Sequence, residues 1–325
     1  MPLKRKLKNR AKQWLFSFHR FGLRFGVMIL PNHYYVDFPD IDQLAKTADQ
    51  WAKPSRLRGV EIDPDCQAAR LREICGPFAN EVSGSPFYRA AGSTGCGPGY
   101  GYIEAEALHC VVRSFEPRRV IEVGSGVSTY CMLQAIARNE RRCAITCIEP
   151  YPSRWLRNAP VTLLQKTVQA TPLELFESLD DGDLLFIDSS HTVKTGSDTN
   201  FLILEVLPRL KPGVVIHFHD IFLPYDYPRD ALRSFFQWQE TALLHAFLIG
   251  NRNVEILFCL SQLHYDRPKA LEEVFPEYRG RPAENGLRGA DSPLFDEADD
   301  HFPTSIYLRI RNFPETTTGM VARQL

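Results

Sequence analysis

Short apolar runs alternate with longer amphipathic stretches through the middle of this chain. The runs lie at 119–124 (RVIEVG), 144–150 (AITCIEP), 161–165 (VTLLQ), 183–190 (DLLFIDSS) and 213–220 (GVVIHFHD), and the stretches between them at 127–138, 152–157, 171–179 and 197–210. Runs this apolar, separated by helical patterns, are what a parallel sheet buried on both faces requires. Two further strands are expected at 253–260 and 304–311, separated by an insertion at 264–303 rich in Pro, Glu and Gly. That makes seven strands in an open α/β sheet, closing with a hairpin pair at one edge. Ahead of them, helical spacing appears at 41–53, 65–80 and 103–115, where Pro117 stops the last helix. The division read from this pattern is a basic tail and helical lead-in over 1–100, then a domain over 101–325 that carries the insertion.

Composition adds exclusions. A formal net charge of −1 argues against an ordinary nucleic-acid binder. The eight cysteines are scattered, several within apolar runs and with no CxxC pair, which suits free thiols in a reducing cytoplasm.

The amino terminus stands apart. MPLKRKLKNR is strongly basic, and WLFSFHRFGLRFGVMIL follows it, interrupted by Arg20 and Arg24. The apolar stretch is too short and too charged for a cleavable signal or a membrane span. A solvated tail is one reading, and weak membrane-surface contact through a basic amphipathic helix over residues 1–20 is the other.

The candidate chemistry begins at the end of the first strand of the sheet. Gly124 and Gly126 let backbone approach a ligand, and the helix that follows offers free N–H groups. A dinucleotide fingerprint wants a third glycine where Thr129 stands. Glu122, two places before the first glycine, would repel a pyrophosphate and favour an ammonium group. Glu149 closes the second strand, where its oxygens can accept both hydroxyls of a ribose. Adenosine with an amino-acid tail fits all three features.

At these residues the sequence resembles the class I S-adenosylmethionine-dependent methyltransferases. VIEVGSGVST is similar to their glycine-rich motif and CIEP to their acidic ribose motif, while DLLFIDSSH and LKPGVVIHFHDI resemble the fourth and fifth strands of the branch that includes small-molecule O-methyltransferases. PYDYP (224–228), ETALLHAFL (240–248) and NHYYVDFPD resemble the bacterial methyltransferase family 24 group. The resemblance covers about residues 100–265. It implies a Rossmann-like, doubly wound, mostly parallel sheet with an antiparallel last strand and, here, an N-terminal helical extension. It also implies S-adenosylmethionine as cofactor, with Gly124, Ser125 and Gly126 under its methionine part, Glu122 near its amino group and Glu149 on its ribose. Ser128 and Thr129 would bond its carboxylate or cap the helix, and Asp188 would border the same site.

The reacting end is expected around Asp188, His191, His219 and Asp220. In the metal-dependent catechol-type relatives, residues at the matching strand ends bind magnesium and a lysine acts as base. Here Asp188, His219 and Asp220 fall at the metal positions and His191 falls where the lysine stands. The histidine suits zinc, iron or manganese better than magnesium. Methyl transfer needs an aligned acceptor and an outlet for its proton, so His191 or His219 is expected as base with Asp220 orienting a histidine or holding a metal. His217 is read as a core histidine. GCGPGYGY (95–102) is read either as a lid or as a linker, and the insertion as a wall of the acceptor pocket.

The expected function is O-methylation of a small molecule or sugar moiety. Two alternatives stand beside it: a metal-dependent oxygenase on the same scaffold, motivated by the His/Asp cluster, and a non-catalytic partner-binding protein. Oligomers are compatible with all three.

Overall fold

In a computed structural model of the chain, the described residues are 2–33, 35–97, 99–280, 285–289 and 302–311. Two units are recognised, Met1–Trp51 and Ala52–Leu325. The first holds a 22-residue helix, Pro2–Leu23, and two short helices, Ile41–Lys46 and Ala48–Trp51. Asp40 caps the second of these, its carboxylate accepting from the Gln43 N–H at 3.1 Å.

The second unit contains a seven-stranded sheet: β1 (Arg119–Val123), β2 (Ala144–Ile148), β3 (Thr162–Leu164), β4 (Leu184–Ile187), β5 (Val215–Phe218), β6 (Val254–Cys259) and β7 (Ile306–Ile310). The order is β3-β2-β1-β4-β5-β7-β6. Neighbours among β1 to β5 run parallel, whereas β7 lies antiparallel to both β5 and β6. The expected closing pair is present, with β7 inserted between β5 and β6.

Alternation along the strands supplies both faces of the core. Phe186 and Val215 join Leu108, Met132 and Phe258 on one side of the sheet. Leu185, Ile187, Ile216 and Phe218 join Leu202, Val206 and Leu244 on the other. The central strands β4 and β5 are therefore covered on both faces, which explains why their runs read as continuously apolar, whereas the edge strand β3 has no fully buried residue. The expected helix at 197–210 is a composite path: an α-turn over Asp198–Phe201, a π-helical turn over Leu202–Val206 and a 3₁₀ turn over Leu207–Arg209. Pro208 has no N–H to continue an α-helical ladder, so periodicity alone overstates the regularity here.

The insertion opens as two helices, Leu260–Asp266 and Pro268–Val274, and much of its remainder lies outside the described residues. All eight cysteines are free.

Candidate active site

The topology changes direction between β1 and β4, because the chain leaves β1 toward β2 on one side and returns to β4 on the other. Ligands of open α/β sheets bind beyond the carboxyl ends of strands at such a point. The glycine turn sits there. Gly124 adopts φ +84°, and a Cβ on it would run into the carbonyl oxygen of Asp188. The Asp188 N–H donates to the Val123 carbonyl at 2.9 Å, so the ends of β1 and β4 are held together at the turn.

Glu122 lies fully buried beneath this turn. Its two oxygens accept from Ser128 Oγ and Thr129 Oγ1, each at 2.7 Å, and from Cys147 Sγ at 3.1 Å. Burial pushes its carboxyl up to about 7 against those hydrogen bonds. Thr129 Oγ1 also accepts from the Gly126 N–H at 3.1 Å. The three residues expected to touch a ligand's amino-acid end therefore spend their polar atoms on one another and on the turn. Ser125 and Glu149 are only part-buried, with Ser125 Oγ 3.5 Å from Glu149 Oε2. Glu149 Oε1 accepts from the Tyr151 N–H at 2.8 Å.

Beside the turn, four residues from the ends of β4 and β5 converge. Asp188 Oδ1 lies 3.2 Å from His191 Nε2 and 3.3 Å from His219 Nδ1. Asp220 Oδ2 lies 3.4 Å from His191 Nε2 and 3.6 Å from His219 Nδ1. His191 and Asp220 both adopt left-handed backbone conformations, φ +57° and +54°. Such conformations in non-glycine residues cost about 1–3 kcal/mol each and persist only where surrounding contacts impose them.

Those contacts come from residues that sequence reasoning did not single out. Glu240, at the start of the helix Glu240–Leu248, places Oε2 2.7 Å from His191 Nδ1 and accepts from Ser189 Oγ at 3.0 Å through Oε1. The His191 carbonyl accepts from the N–H groups of Gln239 and Glu240 at 3.0 and 3.2 Å. Glu104, buried in the helix Tyr102–Phe115, sets Oε1 3.3 Å from His219 Nε2, off the hydrogen-bond axis, so that nitrogen has no aligned partner. The same oxygen accepts from the Thr304 N–H at 2.8 Å. The signal for both was a glutamate in the first turn of a helix that is largely buried, a position that burial makes costly unless the charge is used.

Burial would lower both histidines, but the carboxyl groups outweigh it. Hydrogen bonds to Asp188 and Glu240, with the charge of Asp220, push His191 up to about 10. Asp220, Glu104 and Asp188 hold His219 well above its ordinary value. Burial would raise Asp188, yet the two histidines keep it well below the usual carboxylate range. A neutral imidazole ready to take a proton, as expected from the sequence, is not what these surroundings favour.

His217 is buried as expected of a core residue. It stacks on Phe186 at 4.2 Å, and its Nε2 lies 3.0 Å from Ser305 Oγ. Tyr100, from the 95–102 segment, puts its hydroxyl 3.3 Å from the same nitrogen and its ring 4.9 Å from that of His219. That segment's Tyr100 is part of the wall behind the histidines.

Residues 121–221 match the model of a family described as a methyltransferase domain. Over that segment the chain is similar to this family. Every site residue expected from the sequence falls inside the matched span, whereas Glu104 and Glu240 lie outside it. An uncharacterized protein of Archaeoglobus fulgidus is 24% identical over 177 residues, covering 48% of this chain and 76% of that protein. Among solved structures, the SAH-bound Podospora anserina methyltransferase PaMTH1 is similar at 13% identity and a TM-score of 0.38, covering 88% of this chain and 100% of that one. The plantazolicin methyltransferase BpumL in complex with SAH is similar at 12% identity and a TM-score of 0.33, covering 84% of this chain and 99% of that one.

Proposed function

We propose that the protein is an S-adenosylmethionine-dependent methyltransferase that methylates an oxygen of a small molecule or sugar moiety beside a divalent metal. The single observation that carries this reading is the adjacency, within the matched domain, of the glycine turn and the Asp188/His191/His219/Asp220 cluster, joined at Gly124 and Asp188.

The cofactor side divides into two tasks. Gly124, Ser125 and Gly126 offer backbone and a small hydroxyl at the open end of β1, and Glu149 offers a part-exposed carboxylate for the ribose hydroxyls. Glu122, Ser128 and Thr129 position the turn from beneath. S-adenosylmethionine, when bound, supplies an already activated methyl group.

The donor set of the second cluster fits a metal ion. Donors at about 2.1 Å from one ion stand roughly 3.0–3.4 Å apart in octahedral or tetrahedral arrangement. Asp188 stands 3.2 and 3.3 Å from the two imidazoles, within that spacing, and Asp220 3.4 Å from His191, whereas its 3.6 Å from His219 exceeds it. Asp188, His191 and His219 would be the core ligands, with Asp220 beside them. The distal nitrogen of His191 is hydrogen-bonded to the buried Glu240, the support that metal-bound imidazoles usually have, while that of His219 has only the nearby charge of Glu104, 3.3 Å away. Two imidazoles favour zinc, iron or manganese over magnesium. Such an ion supplies charge that lowers the pKa of an acceptor hydroxyl. Asp220 is then the side chain placed to take that proton, since both imidazoles are committed.

Calorimetric titration of metal-stripped protein with S-adenosylmethionine tests the reading, repeated with Glu149→Ala and with manganese or zinc added. Micromolar-range binding that drops at least roughly tenfold in the variant is expected. Absence of binding under every condition would overturn it.

A second reading rests on the same ligands, because two histidines and one carboxylate are also the set used by non-haem iron(II) oxygenases. Oxygen uptake that requires iron(II) and proceeds without release of S-adenosylhomocysteine would favour it over methyl transfer.

A further inference from the structure

We infer that the amino-terminal helix and the turn after it form a docking surface for an anionic lipid bilayer. In the helix Pro2–Leu23, Trp14, Phe18 and Phe21 recur at i, i+4 and i+7 and so share one face. They are 69%, 43% and 54% exposed, an arrangement that costs hydrophobic free energy in water unless something covers it. The Trp14 and Phe18 rings stack at 5.6 Å, forming a continuous apolar strip. Exposed Lys12 and Arg20 fall on the opposite side of the same helix by its 100° per residue.

The strip does not stop at the helix end. Val27 donates from its N–H to the Gly22 carbonyl at 3.0 Å, and His19 Nδ1 lies 2.8 Å from the Ile29 carbonyl, so the chain hooks back. Gly22 permits the hook, since a Cβ there would stand 2.7 Å from the Val27 carbonyl oxygen. The hook presents Phe25, Val27, Met28 and Leu30, all exposed, next to Phe21. The Phe21 and Phe25 rings approach to 5.1 Å.

Charge decides the occupant. Eight lysines and arginines (positions 4, 5, 6, 8, 10, 12, 20 and 24) precede the first acidic residue, Asp37. A second copy of this helix would bring the same positive charge against itself, whereas a bilayer with anionic headgroups offers apolar depth and opposite charge together. No helix among the described residues is long and apolar enough to cross a membrane, so the helix would lie in the interface plane. Membrane attachment of this kind would bring the catalytic unit to acceptors that reside in or near the bilayer.

Sedimentation of the full chain with lipid vesicles tests this. Vesicles of phosphatidylcholine are compared with vesicles containing about one-third phosphatidylglycerol. Binding at least roughly tenfold stronger to the anionic vesicles, weakened by salt, is expected. The triple variant Trp14→Ser, Phe18→Ser, Phe21→Ser and the double variant Lys12→Glu, Arg20→Glu should each lose roughly tenfold or more while keeping the wild-type circular dichroism spectrum. Equal binding to both vesicle types, or variants that bind as the wild type does, would overturn the proposal. So would a dimer in analytical ultracentrifugation that the triple variant dissociates, since the face would then belong to a second copy.

Discussion

Glu240 Oε2 stands 2.7 Å from His191 Nδ1, and this contact ties the start of one helix to a left-handed residue at the end of β4. It turns the other ring nitrogen of His191 toward Asp188 and Asp220. A carboxylate on the distal nitrogen fixes both ring orientation and ligand basicity, so Glu240 acts on the cluster without joining it. Replacing Glu240 with Ala should weaken zinc or manganese binding by roughly 10–100-fold, with Glu240→Gln recovering part of the loss. Metal titration followed by competition with a chelator measures this. Affinity for S-adenosylmethionine in the absence of metal should remain within about twofold, which separates a positioning role from general damage.

The two glycines of the turn should differ in their response to substitution. Gly124→Ala demands a left-handed alanine against the Asp188 carbonyl and should cost about 3 kcal/mol or more, read as a lowered midpoint in chemical denaturation. A Cβ on Gly126 would meet only the Cys96 carbonyl oxygen at 3.4 Å, so Gly126→Ala should cost less than about half as much.

Glu106 offers a pH prediction remote from the site. Burial pushes its carboxyl up to about 8, against a hydrogen bond from Ser85 Oγ. Because the folded value is raised, the unfolded chain ionises first, and stability falls as pH rises from about 4.5 to about 8. Across that window the loss from this group is on the order of 2–4 kcal/mol. Glu106→Gln should flatten the decline, measured as denaturation midpoints at pH 5 and pH 8.

His217 should prove replaceable. His217→Phe preserves the stacking on Phe186 and removes the hydrogen bonds to Ser305, which retains Glu104 Oε1 at 3.1 Å, and to Tyr100, which retains the Glu104 carbonyl at 3.4 Å. The expected change is about 1 kcal/mol in stability and less than about threefold in turnover. Replacing His219 instead should abolish metal binding.

Sequence alone determined the seven strands, because a strand covered on both faces must be apolar throughout and its neighbours must break that pattern. It also placed Gly124, Glu149, Asp188, His191, His219 and Asp220 at strand ends, where this architecture presents ligands. Glu122 was visible as an unusual charge within an apolar run, but its partners Ser128, Thr129 and Cys147 come together only when the helix after β1 packs over β1 and β2. Glu104 and Glu240 were legible even less. They stand 115 and 49 residues from the histidines they face, His219 and His191, and no local periodicity encodes a contact across that distance. The tertiary structure decided which nitrogen of each histidine faces the cluster, because only packing of helices against the ends of β4 and β5 brings a buried carboxylate to the other.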